Sequence, residues 1–192
     1  MKEELIIASG NKGKIQETQE ILNDYNIIPM EYYDLQIEVE EDQDTSERNA
    51  IKKAETIAKI LEGRKCIADD SGIQIEYLGG FPGVHTKRWF NGTDRERNLA
   101  ILEKLKGVPK EKRNVKFGVA VALSDGKTTI SAVGEITGKV AEQPRGENGF
   151  GFDEIFELSN GKTLAELSQE EKNQISARKI ALEKLKEKVK EK

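Results

Sequence analysis

The segment Ser9–Lys14, which reads SGNKGK, has the residue types that can bind a phosphate chain. Its glycines let backbone N–H groups turn toward one point, and the helix predicted to follow adds a positive field at its N-terminus. The GxxxxGK(S/T) spacing of a P-loop is absent, and a strand-to-helix turn that contains lysines explains the segment equally well. The candidate phosphate-binding residues are Ser9, Gly10, Asn11, Lys12, Gly13 and Lys14.

Adjacent carboxylates at Asp69 and Asp70 follow a short apolar run, and we predict a turn over Asp69–Gly72. Neighbouring side chains of an extended chain point to opposite sides, so one carboxylate is expected to face a site, where it could hold Mg²⁺ or act as a base. A polar turn closed by an Asx-type hydrogen bond is the alternative. An upstream acidic run could supply a second metal ligand, although such runs are more often solvated loops. It contains Glu38, Glu40, Glu41 and Asp42.

Phenylalanine and glycine alternate in Gly149–Asp153, which reads GFGFD. A ring at Phe150 or Phe152 can stack on a flat heterocycle while the Asp153 carboxylate hydrogen-bonds its edge. Packing of these rings in the core explains the pattern about as well.

A further polar pattern lies inside the predicted C-terminal helix. Lys172 and Ser176 share one helix face at positions i and i+4, and Arg178 is displaced from it. For this run alone, a solvated helix face is the stronger interpretation. Lys53 lies one turn before Ile57 on an earlier predicted helix, where it could point into a cleft or to water.

Size and charge restrict the class of protein. The chain has 192 residues, which suits one domain at about 150 residues per domain, and no apolar run approaches the ~20 residues of a membrane span. The net charge of -4 argues against duplex DNA or RNA as the main partner. A single histidine, His85, and a single cysteine, Cys66, argue against a zinc site and an internal disulfide. The first residues lack the pattern of a secretory signal, so we expect a cytoplasmic protein.

Short β-like runs alternate with helical patterns, which predicts an α/β fold. Strands are predicted at Leu5–Ala8, Ile28–Tyr33, Arg64–Ala68 and Ile73–Tyr77, and a hairpin at the Ser124–Gly126 turn. Helix starts are predicted after Gly13, at Thr45 or Ser46, at Thr93 and at Ser168. Two predicted apolar helix faces consist of Leu99, Leu102 and Leu105, and of Ile175, Leu182, Leu185 and Val189.

The order of these motifs resembles the inosine triphosphate pyrophosphatase family, also called the Ham1-like family. The likeness spans almost the whole chain and rests on SGNKGK at Ser9–Lys14, ADDSG at Ala68–Gly72 with LGGFPG at Leu78–Gly83, GFGFD at Gly149–Asp153, and EKNQISAR at Glu171–Arg178. The resemblance implies an elongated α/β fold of the Maf/Ham1 type, with a long central mixed sheet, two lobes and a nucleotide cleft between them. It also implies one domain over residues 1–192 and a homodimer, with an interface near Phe81, Trp89 and Phe90.

The resemblance further implies hydrolysis of ITP, dITP and XTP between the α- and β-phosphates, which yields the monophosphate and pyrophosphate and removes damaged purines from the nucleotide pool. Asp70 and Lys53 would be the catalytic residues. Asp70 would bind the Mg²⁺ cofactor and orient or deprotonate the attacking water. The family's second acidic ligand precedes the second helix, and the choice between Glu38 and Glu41 stays open. The triphosphate would be held by Ser9, Asn11, Lys14 and Lys53.

By the same resemblance, base recognition would fall to Phe150, Phe152, Asp153, Lys172, Ser176 and Arg178. Hypoxanthine and xanthine carry a keto acceptor at C6, whereas adenine carries an amino donor, so a donor aimed at O6 rejects ATP. Arg178 is the candidate O6 donor. The remaining predicted substrate contacts in these motifs are Ser71, Gly151 and Ala177.

Three positions depart from the family pattern. Ala177 replaces the histidine of a Ser-His-Arg triplet, which puts the base preference in doubt. His85 replaces a tyrosine and adds titration near neutral pH. Glu154 replaces a proline after GFGFD, a change expected to alter the turn more than the chemistry.

Three alternatives are open. A Maf-like pyrophosphatase acting on modified pyrimidine triphosphates would have a start rich in Ser-x-Arg-Arg. A non-catalytic nucleotide-binding protein need not keep Asp70, Lys14 and Lys53 together. A single-stranded RNA binder using Phe150 and Phe152 is disfavoured by the acidic charge.

Overall fold

The computed structural model describes residues 2–34 and 37–191. The described chain folds into two compact units. The first unit consists of the described residues within Met1–Ser71, Val119–Glu135 and Ala177–Lys192, and the second consists of Gly72–Gly118 and Ile136–Ser176. Within the described residues, every helix is too short or too polar to form a membrane span.

Five α-helices lie in the described chain: α1 (Lys12–Ile21), α2 (Ser46–Ile60), α3 (Asp94–Lys104), α4 (Gln169–Ile175) and α5 (Ala177–Lys190). Four of them begin after a polar residue whose side chain accepts a hydrogen bond from a backbone N–H of the first turn, namely Asn11, Thr45, Thr93 and Ser168. Thr93 and Ser168 form full capping boxes with Glu96 and Glu171, as the sequence predicts.

The strands form one mixed sheet, which confirms the predicted α/β class. They are β1 (Glu3–Ile7), β2 (Tyr25–Pro29), β3 (Cys66–Ile75), β4 (Phe81–Pro82), β5 (Asn114–Ser124), β6 (Thr129–Val140) and β7 (Phe156–Glu157). The strand order is β2-β1-β3-β5-β6-β7, and β4 pairs with β3. β1 is parallel to both β2 and β3, whereas β3–β4 and β6–β7 are antiparallel. The predicted hairpin is present between β5 and β6.

Small side chains dominate the core of the first unit and let α2 pack closely. This core contains Ile6, Ala8, Ala50, Ala54, Ile57, Ala58, Cys66, Ala68, Ala120 and Ala122. Burial raises the pKa of the Cys66 thiol to about 12, so this cysteine is an inert core residue. A Cβ at Gly134 of β6 would collide with the Ala177 carbonyl oxygen, so the absence of a side chain there allows the start of α5 to pack against the strand.

Larger side chains fill the core of the second unit. They include Ile73, Ile75, Ile101, Leu105, Val115, Ile155, Phe156 and Leu164. On α3 the buried residues are Asn98 and Ile101. Of the predicted apolar face, Leu105 is buried just after the helix and Leu102 packs against the core, but Leu99 is 47% exposed, so the prediction is wrong at Leu99.

The predicted turn at Asp69–Gly72 is wrong, because β3 runs through these residues without interruption. Asp69 and Asp70 are both buried in this strand, and their burial is tolerated because side chains from other elements pair with them. The second predicted strand is also shorter than expected. β2 ends at Pro29, which has no N–H to continue the ladder, and a 3₁₀ turn follows over Met30–Tyr33.

The predicted C-terminal helix is two helices. α4 ends at Ile175, Ser176 adopts an extended conformation, and α5 begins at Ala177. Ile175 is therefore 41% exposed and does not share an apolar face with Leu182 and Leu185. The break also means that Lys172 and Ser176 lie in the second unit and Arg178 in the first.

Candidate active site

The segment Ser9–Gly13 forms the approach to α1. Asn11 caps this helix, since its side-chain oxygen accepts the Lys14 N–H at 3.1 Å, and the Ser9 hydroxyl accepts the Asn11 N–H at 3.2 Å. These contacts hold the loop at the positive end of the helix. A helix start of this kind can receive an anion, and phosphate binding by this loop stays a prediction.

A buried cluster of charges in the first unit centres on Asp69. One carboxylate oxygen, Oδ2, lies 2.9 Å from Lys14 Nζ and 2.9 Å from Arg178 Nη2. Arg178 also pairs with Glu17. The backbone oxygen of Asp69 accepts Lys53 Nζ at 2.5 Å, so this one residue orients three cations.

Opposing effects set the pKa of Asp69. Burial by itself raises it, but the positive charges of Lys14, Arg178 and Lys53 outweigh burial and hold the pKa well below the usual range of an aspartate. Asp69 therefore stays ionised to a lower pH than an exposed aspartate does.

Asp70, the neighbouring carboxylate, has a different environment. Asn49 donates to its Oδ2 at 3.0 Å and the Ser71 N–H donates to its Oδ1 at 2.8 Å. Burial raises the pKa of Asp70, the negative charge of Glu41 adds to the increase, and Lys53 and Asn49 act against it. Asp70 is thus a carboxylate that a further positive charge would stabilise, and it is more basic than an exposed aspartate.

Glu41 is the better placed of the two candidates for the second acidic ligand. Its Oε1 lies 2.6 Å from Lys53 Nζ, and its charge acts on Asp70, whereas Glu38 is exposed. In the described part of the chain, no group of three or more His, Cys, Asp or Glu side chains is arranged to hold a metal ion. A pair of carboxylates beside a phosphate loop nevertheless fits Mg²⁺, which binds through one or two carboxylates, waters and substrate phosphates.

The second unit brings Phe150, Asp153 and Lys172 together. Asp153 Oδ2 accepts the Phe150 N–H at 2.9 Å and Lys172 Nζ at 2.5 Å, and the same Nζ lies 4.5 Å from the centre of the Phe150 ring. A Cβ at Gly149 would collide with the Asp153 carboxylate, so this close turn requires glycine. The group has an aromatic face and charged hydrogen-bonding atoms, which suit a flat heterocycle.

The other predicted base-recognition residues are placed differently. Phe152 is half-buried against the core of the second unit, and Ser176 is a buried residue that ends α4. Ala177 is fully buried at the start of α5. The Arg178 guanidinium pairs with Asp69 and Glu17, and its predicted contact with O6 stays a prediction.

Two polar residues of the first unit's cluster, Glu17 and Asn49, are missing from the sequence prediction. Glu17 follows Lys14 by three positions and Asn49 precedes Lys53 by four, so each shares a helix face with a predicted site residue. Both are buried. This spacing is a signal that could have identified them.

Comparison with known proteins identifies the family of this chain. The model of the Ham1 family matches residues 5–188. A protein of Shouchella clausii named dITP/XTP pyrophosphatase is 45% identical over 189 residues, which cover 96% of this chain and 95% of the relative. A Bacillus subtilis protein of the same name is 44% identical over 188 residues, 95% of this chain and 94% of the relative.

Solved structures show the same fold. A HAM1 protein from Coxiella burnetii is 38% identical, with a TM-score of 0.86 over 99% of this chain and 100% of that one. The Staphylococcus aureus Ham1 protein is 36% identical, with a TM-score of 0.85 over 98% of each chain. On this evidence the chain belongs to the Ham1 family.

Proposed function

We propose that this protein hydrolyses non-canonical purine nucleoside triphosphates, namely ITP, dITP and XTP, to the monophosphate and pyrophosphate. The relatives named dITP/XTP pyrophosphatase support this substrate class. The observation that carries the proposal is in the first unit, where the loop before α1, three buried cations and a carboxylate of raised pKa belong to one cluster. Residues 1–192 would act as a single catalytic domain.

The triphosphate binds at the start of α1. Ser9, Asn11 and the N–H groups of the loop hydrogen-bond phosphate oxygens, and Lys14 and Lys53 neutralise their charge. Both lysines are buried and oriented by Asp69, so little reorganisation is needed when charge builds up on the phosphates during the reaction.

Asp70 acts on the attacking water. Its raised pKa makes it a better proton acceptor than an ordinary aspartate, and the hydrogen bonds from Asn49 and the Ser71 N–H fix its orientation. Asp70 and Glu41 would hold Mg²⁺, with Glu41 favoured over Glu38 because of its position beside Lys53. When bound, Mg²⁺ withdraws charge from the phosphates and makes a bound water more acidic.

The base is recognised by residues of the second unit. The Phe150 ring stacks on the purine, and the pair of Asp153 and Lys172 provides a hydrogen-bond acceptor and donor at its edge. The protein would act as a homodimer in the cytoplasm, where the nucleotide pool is maintained. The half-buried aromatic side chains of Phe81 and Trp89 stay the candidate interface.

The experiment is pyrophosphate release from ITP and XTP with Mg²⁺, by the wild type and by Asp70→Asn. We expect turnover by the wild type and a rate of pyrophosphate release at least about 100-fold lower in the variant, because the substitution removes the carboxylate that accepts a proton from the attacking water. Nucleotide affinity, measured by calorimetry, should survive the substitution. Tight ITP binding by the wild type without turnover would contradict the proposal and favour a non-catalytic binding protein.

A further inference from the structure

Two side chains near the start of α3 hydrogen-bond the backbone of Gly151, one to its N–H group and one to its carbonyl oxygen. Asp94 Oδ2 accepts the Gly151 N–H at 2.8 Å, and Asn98 Nδ2 donates to the Gly151 carbonyl oxygen at 2.8 Å. Asp94 and Asn98 lie four positions apart, so both face this loop from one side of the helix. All three residues belong to the second unit.

Glu154 adds a second connection between the loop and α3. Its Oε1 accepts Asn98 Nδ2 at 2.9 Å, and its Oε2 accepts Arg95 Nη1 at 2.6 Å. Both bonds depend on the carboxylate oxygens of the Glu154 side chain. Asn98 is 1% exposed, so its side-chain NH2 group donates to these two acceptors and not to water.

Gly151 lies between the two phenylalanines of the loop, and its φ of +63° is in the left-handed region. Fixing both of its backbone polar groups therefore fixes the path of the chain from Phe150 to Asp153. A recess of about 290 Å³ lies at this point, and its lining includes Asp94, Asn98, Asn148, Phe150, Asp153 and Glu154. The contacts from α3 thus belong to the surroundings of the proposed base-recognition residues.

We propose that Asp94, Asn98 and Glu154 form a clamp that positions Phe150 and Asp153 and thereby determines the affinity for the purine base. The inference rests on the proposed function, because it assigns base recognition to Phe150 and Asp153. The clamp residues are positioning residues and act only through the loop. Loosening the clamp should weaken base binding and leave phosphate binding intact, since the phosphate-binding residues belong to the first unit.

The test compares paired substitutions that keep or remove a hydrogen-bond acceptor. Asp94→Asn and Glu154→Gln lose the charge and keep an acceptor oxygen, whereas Asp94→Ala and Glu154→Ala lose both. Asn114→Ala is the control, because Asn114 belongs to the second unit and binds Glu76 and Lys139 away from the loop. For each protein, kcat and KM for ITP are measured, together with inhibition by inorganic tripolyphosphate, which has no base.

We expect Asp94→Ala, which loses the bond to the Gly151 N–H, to raise KM for ITP by about five- to tenfold, the usual effect of one lost hydrogen bond. Glu154→Ala loses its bonds from Asn98 and Arg95 and should raise KM at least as much. In both variants kcat should change less than about twofold. The Asn and Gln variants and Asn114→Ala should stay within about twofold of the wild type. Inhibition by tripolyphosphate should be unchanged in all of them. Thermal denaturation identifies any variant that fails to fold. If Asp94→Ala fails to fold, the comparison of Glu154→Gln with Glu154→Ala still tests the clamp.

Several results would overturn the clamp. Alanine variants with wild-type KM would show that the contacts do not position the base. Asn and Gln variants as impaired as the alanine variants would show that the acceptor is not the important feature, and a parallel loss of tripolyphosphate inhibition would indicate general damage. A wild type that releases no pyrophosphate from ITP would refute both the proposed function and the role of the clamp. This outcome is distinguished from failure of the clamp alone because it is seen in the wild type, without any variant.

Discussion

The Asp69 carboxylate and the Arg178 guanidinium form a buried ion pair at 2.9 Å, although the two residues lie 109 positions apart in the sequence. The same carboxylate oxygen contacts Lys14. Asp69 therefore links the central strand β3 to the starts of α1 and α5. We propose that Asp69 holds three cations in place, Lys14 and Arg178 through its carboxylate and Lys53 through its backbone oxygen, and does not contact substrate.

Asp69→Asn should destabilise the protein. The substitution leaves Lys14 and Arg178 buried with less compensating charge, and breaking a buried ion pair typically costs about 3–5 kcal/mol. For a chain of this size we expect a fall in Tm of about 6–20 °C, measured by differential scanning calorimetry.

The control for this prediction is Asp44→Asn, which removes an ion pair with Arg48 in which both side chains are about two-thirds exposed. Its expected effect is below about 0.5 kcal/mol. Equal effects of the two substitutions would show that the buried cluster around Asp69 does not stabilise the fold.

Asp70→Asn, unlike Asp69→Asn, should not destabilise the protein at pH 7. A group whose pKa is raised in the folded protein stabilises the fold at low pH, and this contribution is lost as pH rises through the folded pKa. The neutral Asn keeps an acceptor for Asn49 and avoids the buried charge. We expect the Tm of the variant to match or exceed that of the wild type at pH 7, with the difference shrinking toward pH 4. A variant clearly less stable than the wild type at pH 7 would refute this account of Asp70.

The sequence predicted helix starts that depend on local contacts better than it predicted the path of β3. The capping boxes at Thr93 and Ser168 depend on contacts within one helical turn, so short sequence patterns identify them. The continuation of β3 through Asp69 and Asp70 depends on partners from other elements, and local propensity predicts a turn there.

Arg178 and Asn98 illustrate what sequence patterns cannot give. The sequence predicts Arg178 as a base contact and gives no sign of its buried ion pair with Asp69, which depends on the helix break at Ser176. Asn98 is buried on α3 beside Ile101, and the leucine pattern of this helix does not identify it. Both outcomes depend on tertiary packing rather than on spacing along the chain.

Glu157 should contribute to the acid sensitivity of the fold. Burial by itself raises its pKa, but Lys110 and Arg145 bind its two oxygens and hold the pKa below the ordinary value. Its stabilising effect is therefore present above the pKa of an unfolded glutamate, about 4.3, and is lost as pH falls through the folded pKa.

Accordingly, Glu157→Gln should be less stable than the wild type at pH 7, and the two proteins should converge as pH falls below about 4, as monitored by urea unfolding. Glu103→Gln is the matched control, since Glu103 is exposed in its pair with Lys106. A constant stability difference between the Glu157 variant and the wild type from pH 7 to pH 3 would contradict this assignment.

Ala177→His, which restores the Ser-His-Arg triplet described in the sequence analysis, should lower the stability of this protein. Ala177 has no exposed surface, and its backbone packs against Gly134. Inserting a ring should cost about 1–3 kcal/mol, readily measured as a lower Tm. Gln174→His, a substitution at an exposed position, should leave the Tm unchanged. An unchanged Tm for Ala177→His would show that the start of α5 adjusts freely.

Cleavage between the α- and β-phosphates is tested most directly by identification of the products formed from ITP in the presence of Mg²⁺. Anion-exchange chromatography separates the nucleotides, and coupled assays distinguish pyrophosphate from orthophosphate. We expect IMP and pyrophosphate in equal amounts, formed by the wild type and not by Asp70→Asn. Formation of IDP and orthophosphate would contradict cleavage at this position.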